Sequence, residues 1–137
     1  MACFLVPAAE AAVMTIVTKV VASKEKEPEA VKIEGVGGET ETVRRFTLAQ
    51  KLRWLTNLLW GGAILLMYEH VWHGEVVPWF PFLTAAADPG DAAEMLHEMA
   101  TAGVTMAILV TVVWAFMLLG AHVIEQRALK EAKPAAE

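Results

Sequence analysis

The chain has 137 residues, 56% of them hydrophobic and 20% charged, with a mean hydropathy of +0.46. That is too apolar for an ordinary soluble domain, where usage sits at about 45–50% apolar, and far too apolar for a disordered chain. Its length fits a few membrane-spanning helices with their connections, and its net charge of −5 gives no preference for nucleic acid.

Residues 1–22 read as a first spanning helix, since Ala2 to Ala22 is interrupted only by Pro7, Glu10, Thr15, Thr18 and Lys19. The start Met-Ala-Cys-Phe-Leu-Val carries no basic stretch, and Glu10 would fall inside the apolar region of a leader, so a retained helix is expected rather than a cleaved signal peptide. Cys3 has no preceding signal to be cut away, which disfavours a lipoprotein. As the chain's one cysteine, it also excludes an intramolecular disulfide and a multi-cysteine metal site within one chain. Glu10 is a functional candidate, because an ionisable group inside a span is costly unless neutral, paired or hydrated. The alternative is that Glu10 lies close enough to the surface to meet headgroups or water. Ala8, Ala9, Ala11 and Ala12 around it suit close helix packing.

Residues 23–46 form a charged connection, either a linker or a small hairpin. Val31, Ile33 and Val36 before the glycines, and Thr40, Thr42 and Val43 after them, have the pattern for pairing, while the charge and glycine content favours a solvated linker. Gly35, Gly37 and Gly38 lack the Gly-Lys-Ser/Thr ending of a phosphate-binding loop.

A second spanning helix is expected over 47–73, opening on Thr47 and Gln50 at capping-box spacing. Trp54 and Trp72 are 18 residues apart, about 27 Å along a helix, so one indole can sit at each interface. The loop 74–88 is apolar and aromatic: Val76, Val77, Trp79, Phe80, Phe82 and Leu83 are punctuated by Pro78 and Pro81. It reads as a segment lying in the headgroup layer or folded against the helix ends. The third helix spans 89–131, with Asp88 as N-cap, Pro89 in the first helical position and no charge between Glu98 and Glu125. The tail is 132–137.

The charges orient the chain. Lys19, Lys24, Lys26, Lys32, Arg44, Arg45, Lys51 and Arg53 lie at or within the first connection, and Arg127, Lys130 and Lys133 follow the third helix; these are all eleven basic residues. Glu69 to Glu98 holds none of them and six acids. The positive-inside rule places the first connection and the C-terminus in the cytoplasm, with the N-terminus and the second loop outside. The expected fold is thus an all-α, multi-pass protein of the cell membrane with three transmembrane helices.

His70 and His73, three apart on the second helix, and His97 on the third are expected in the same outer leaflet, with Glu69, Glu94 and Glu98 within a turn. Three explanations stay open. The histidines can be interfacial anchors; His70 or His73 with His97 can hold haem b; or Glu69, Glu94 and His97 can hold a metal, Glu94-Met95-Leu96-His97 having the Glu-x-x-His spacing of di-metal bundles. His122 falls at the other end of the third helix. Gly61, Gly62 and Gly103 read as packing surfaces. No catalytic constellation is present, so the leading expectation is a non-enzymatic membrane subunit among lipids that assembles with a membrane-protein partner or with itself. The alternatives are a redox subunit carrying haem b or a metal, and an oligomeric ion or proton path through Glu10.

Overall fold

A computed structural model describes residues 2–26, 30–34 and 40–131, and for 30–34, 40–44 and 131 the backbone alone. The glycines at 35–38 and the tail at 132–137 lie outside the described residues. The chain is mostly helical. Helix α1 runs Leu5–Lys24, strands β1 Ala30–Glu34 and β2 Thr40–Arg44 follow, and α2 covers Leu48–Trp72. A 3-10 turn at Thr84–Ala87 precedes α3, Pro89–Glu98; a π-turn at Met99–Gly103 then leads without a break into α4, Val104–Glu131.

Local chemistry accounts for these boundaries. Pro7 sits in the first turn of α1, where its missing N–H would have had no helical partner. Thr47 caps α2, its hydroxyl accepting the Gln50 N–H at 3.1 Å, and Asp88 caps α3 by accepting the Gly90 N–H at 2.8 Å. In the first connection β1 and β2 pair antiparallel, with Val31 opposite Val43 and Ile33 opposite Glu41. In that connection the described backbone is thus the two paired strands, 30–34 and 40–44.

Two helical stretches are long and apolar enough to cross a membrane, Leu5–Lys24 and the 42-residue run Pro89–Lys130. At 1.5 Å per residue the second is about 63 Å long, roughly twice a bilayer's hydrocarbon thickness. Helix α2, at 25 residues, packs mainly along α1 and less extensively on α4.

The bundle has two ends, a hairpin end where β1 and β2 join α1 to α2, and a loop end where residues 74–88 join α2 to α3. Midway, buried Ala11, Leu55 and Leu59 pack with Met14, Val110 and Trp114. At the loop end Ala2, Phe4 and Met95 are buried under Leu66, Val76, Leu83 and Ala85. Polar groups also stitch the helices together around the midway cluster and on its hairpin side. The Thr18 and Thr56 hydroxyls meet at 3.3 Å, Trp60 Nε1 donates to Thr15 Oγ1 at 3.0 Å, and Trp114 Nε1 donates to the Lys51 carbonyl at 2.8 Å. At the hairpin end the Glu25 carboxylate accepts the Leu48 and Ala49 N–H groups at 2.8 and 2.9 Å, and Glu125 accepts the Phe46 N–H at 2.8 Å.

Candidate functional site

The side chains that gather at the loop end come from the turn before α1, the last turns of α2, the connecting loop and α3. His70 is central and only 8% exposed. Its Nδ1 lies 2.7 Å from the Leu66 carbonyl one turn back. A carbonyl only accepts, so in the neutral ring Nδ1 carries the hydrogen and Nε2 keeps its lone pair. Cys3 Sγ lies 3.3 Å from that Nε2, and the thiol is the group that donates. Glu75 Oε2 is 3.7 Å from the same nitrogen, placed to pair with the ring when it is protonated. The Phe4 ring packs edge-on against the imidazole at 5.4 Å.

Burial pushes the Cys3 thiol above its ordinary value of 9.0, and the Glu98 and Glu69 carboxylates add to the rise. A reactive thiolate requires the opposite surroundings. Cys3 and His70 thus lie within hydrogen-bonding reach, with the thiol proton held more tightly than in water.

A glycine admits Cys3 to this position. A β-carbon on Gly103 would lie 2.9 Å from the Cys3 carbonyl oxygen and 2.9 Å from Val6 Cγ2, closer than real side chains approach. Gly103 ends the π-turn, a feature that often marks functional regions of helices. The three candidate packing glycines thus divide: Gly103 is filled by the chain itself, whereas a β-carbon on Gly61 or Gly62 would meet nothing within 4 Å.

Beside His70 an open hollow of about 230 Å³ is lined by Glu69, His70, His73, Glu75 and Glu98. A neighbouring one of about 270 Å³ is lined by Glu75, Thr84, Ala85, Asp91 and Glu94. The fold therefore brings Glu69, His70 and His73 together and sets Glu94 in the adjoining hollow. His97 is exposed and lines neither; its neighbour Glu98 faces the first hollow instead. Among the described residues, no group of three or more His, Cys, Asp or Glu is placed to hold a metal ion. Every buried side-chain nitrogen or oxygen among them has a hydrogen-bond partner.

Glu10 lies midway along the bundle, half-buried between α1 and α4. Thr111 Oγ1 is 3.0 Å from Glu10 Oε1 and 3.0 Å from the Ala107 carbonyl. Its single hydrogen serves one of them at a time. Cys3, which the sequence marks only for what it excludes, and Thr111 are not among the candidate site residues of the sequence. Thr111 was discoverable in principle, because a carboxylate within a span calls for a polar partner on a facing helix; Cys3 carried no local signal. Comparison with protein-family models, with curated proteins and with solved structures finds no match to this chain.

Proposed function

We propose that the chain is a small, non-enzymatic, multi-pass subunit of the cell membrane that assembles with partner membrane proteins or with further copies of itself. In this reading α1, α2 and the α3–α4 run each cross the bilayer. The loop end lies outside and the hairpin end in the cytoplasm. The distribution of basic residues supports the orientation, since all eleven belong to the hairpin connection, the helix ends beside it or the C-terminal stretch. Helix α2 supports the third crossing by packing along α1, itself long and apolar enough to span.

The observation that carries assembly is the uncovered surface. Ile108, Phe116 and Leu119 on α4 stand exposed, as lipid-facing side chains do, and Gly61, Gly62 and Gly120 leave backbone bare with nothing within 4 Å of a β-carbon. Helices in lipid associate by close backbone approach at such small residues. Cross-linking in native membranes, followed by sizing in mild detergent, is expected to recover a larger species that Gly61→Leu and Gly62→Leu disperse. A native chain that migrates only as a monomer and cross-links to nothing rejects the proposal.

A redox role is the second reading. It draws on His70 and His73, which line one hollow and each hold Nδ1 on a carbonyl of their own helix, at 2.7 and 2.9 Å, so that Nε2 of His73, and that of His70 once it gives up the Cys3 thiol, are the candidate ligands for haem b or a metal. A Soret band or stoichiometric metal in purified protein supports it, and a spectrum with neither removes it. The Glu10–Thr111 contact favours ion or proton passage through an oligomer as a third reading; a flux that survives Glu10→Gln rejects it.

A further inference from the structure

The loop between α2 and α3 is built in two halves. Its base folds onto the bundle: Val76 and Leu83 bridge each other and pack against the cluster of Ala2, Phe4 and Met95, and the Thr84 N–H donates to the Glu75 carbonyl at 3.0 Å. Its tip does the reverse. Trp79, Phe80 and Phe82 are all exposed, Phe80 at 86%, although they are among the largest apolar side chains of the protein.

The tip is held in shape by its own backbone. The Val77 N–H donates to the Phe82 carbonyl at 2.8 Å, the Phe82 N–H to Trp79 at 2.7 Å and the Leu83 N–H to Pro81 at 2.8 Å. The Phe80 and Phe82 rings sit edge to face at 6.4 Å. Pro78 and Pro81 have no N–H, so together with Phe82 three of the five residues 78–82 leave no donor that needs water. Moving a loop out of water is usually opposed by its unsatisfied backbone. Here the two prolines and the Phe82 N–H remove part of that cost, while three aromatic rings gain by leaving water.

We infer that Trp79, Phe80 and Phe82 form an aromatic anchor that inserts into the headgroup layer of the outer leaflet. The inference rests on the membrane reading above and adds an occupant for this surface. Two features select lipid. Residues 76–87 carry no charge at all, whereas a layer of aromatic rings at headgroup depth is where Trp and Phe with polar backbone tips are favoured. Trp72, at the end of α2 from which the loop departs, is exposed as well. The six acids and absent basic residues of Glu69–Glu98 point to zwitterionic headgroups, because anionic ones would be repelled.

The test uses the full chain in phosphatidylcholine nanodiscs. An environment-sensitive fluorophore is attached at Phe80→Cys in a Cys3→Ser background, and in parallel at Asp91→Cys on α3. Insertion is expected to shift emission at position 80 to the blue, to let a shallow nitroxide lipid quench it, and to shield it from aqueous iodide, while the label at 91 stays open to iodide. Equal iodide quenching at both positions overturns the anchor. So does a label shielded from both quenchers that cross-links to a co-purified protein, which gives the surface to a protein partner. Comparing the native chain with Trp79→Phe repeats the measurement without Cys3→Ser: Trp79 emission must be lost to shallow brominated lipid. Extraction of the native protein from membranes with alkaline carbonate separates the two levels of the argument. Release by carbonate sinks the membrane reading itself, while retained protein with an iodide-open tip sinks only the anchor.

Discussion

The two ends of the bundle are held by opposite means. At the loop end the turn before α1 is pressed against a glycine and buried beside apolar side chains, with the Cys3 thiol at His70 Nε2 and His70 Nδ1 at a carbonyl of its own helix. At the hairpin end carboxylates reach across to backbone N–H groups, Glu25 to the first residues of α2 and Glu125 to Phe46, with Lys51 Nζ 4.0 Å from Glu125. Close packing tolerates almost no change of shape but is indifferent to salt. Charged contacts at a wet surface tolerate shape changes and weaken as ionic strength rises. The ends are therefore expected to fail under different treatments.

The largest effect is expected from Gly103→Leu, which drives a side chain into Cys3 and Val6. Overpacking of this kind costs about 1–3 kcal/mol, and it also unseats the Cys3 turn. A lowered midpoint in a thermal unfolding scan in detergent, together with faster maleimide labelling of Cys3, reports both; an unchanged labelling rate would show that the turn does not depend on Gly103. Next comes Glu25→Ala at the other end, which removes both acceptors from the start of α2. Loss of a helix cap costs about 1 kcal/mol, and the gap between native and variant should narrow in high salt, whereas that for Gly103→Leu should not. A gap for Glu25→Ala that is unchanged by salt contradicts the contrast.

Smaller is Thr18→Val, which removes the 3.3 Å contact with the Thr56 hydroxyl; the two hydroxyls also donate to the Met14 and Leu52 carbonyls, so a bond between them needs one to turn its hydrogen. Hydrogen bonds between membrane helices average about 0.6 kcal/mol, and a double-mutant cycle with Thr56→Val isolates the pair. A coupling energy indistinguishable from zero removes it from the account. The smallest effect is expected from pH at Cys3. Its thiol is raised above 9.0 on folding, so the folded chain holds this proton more tightly than the unfolded one. The contribution to stability is complete below the ordinary thiol range and is lost as pH rises through the folded value. Cys3→Ser should flatten that alkaline decline in unfolding experiments; a decline of the same size in both proteins assigns it elsewhere.

Helix ends were legible in the sequence wherever a capping side chain announced them. Thr47 bonds the Gln50 N–H that its spacing promised, and Asp88, expected as a cap before Pro89, accepts the Gly90 N–H, because a cap is decided within four residues. Contacts between distant segments were not. Cys3 reaches His70 across 67 positions, and the residue that allows it, Gly103, belongs to a third segment. The choice between His97 and Glu98 at the hollow is a matter of helix rotation, for adjacent residues point about 100° apart, and rotation is set by how α1 seats on the π-turn. The hairpin was visible as a pattern in Val31, Ile33 and Val43 but competed with composition that favoured a linker. The bare glycines of α2 and the filled glycine of the π-turn look alike in sequence, since glycine reports an opportunity for close approach and not its occupant.

The π-turn at Met99–Gly103 has one more consequence. A π-turn takes up one residue beyond the α-helical count, so everything after it is out of phase with everything before it by about 100°. A face traced from Asp91 or Glu94 by regular helical steps therefore does not continue onto the face carrying Thr111 and Trp114. The extra residue is absorbed at the turn itself, so Met95 before it and Trp114 after it both pack into the bundle, one at the loop end and the other midway. Removing one residue from Met99–Gly103 would restore a regular helix and leave the two halves on nearly the same bearing, so the Glu10–Thr111 contact should survive while the seat of Cys3 at Gly103 changes.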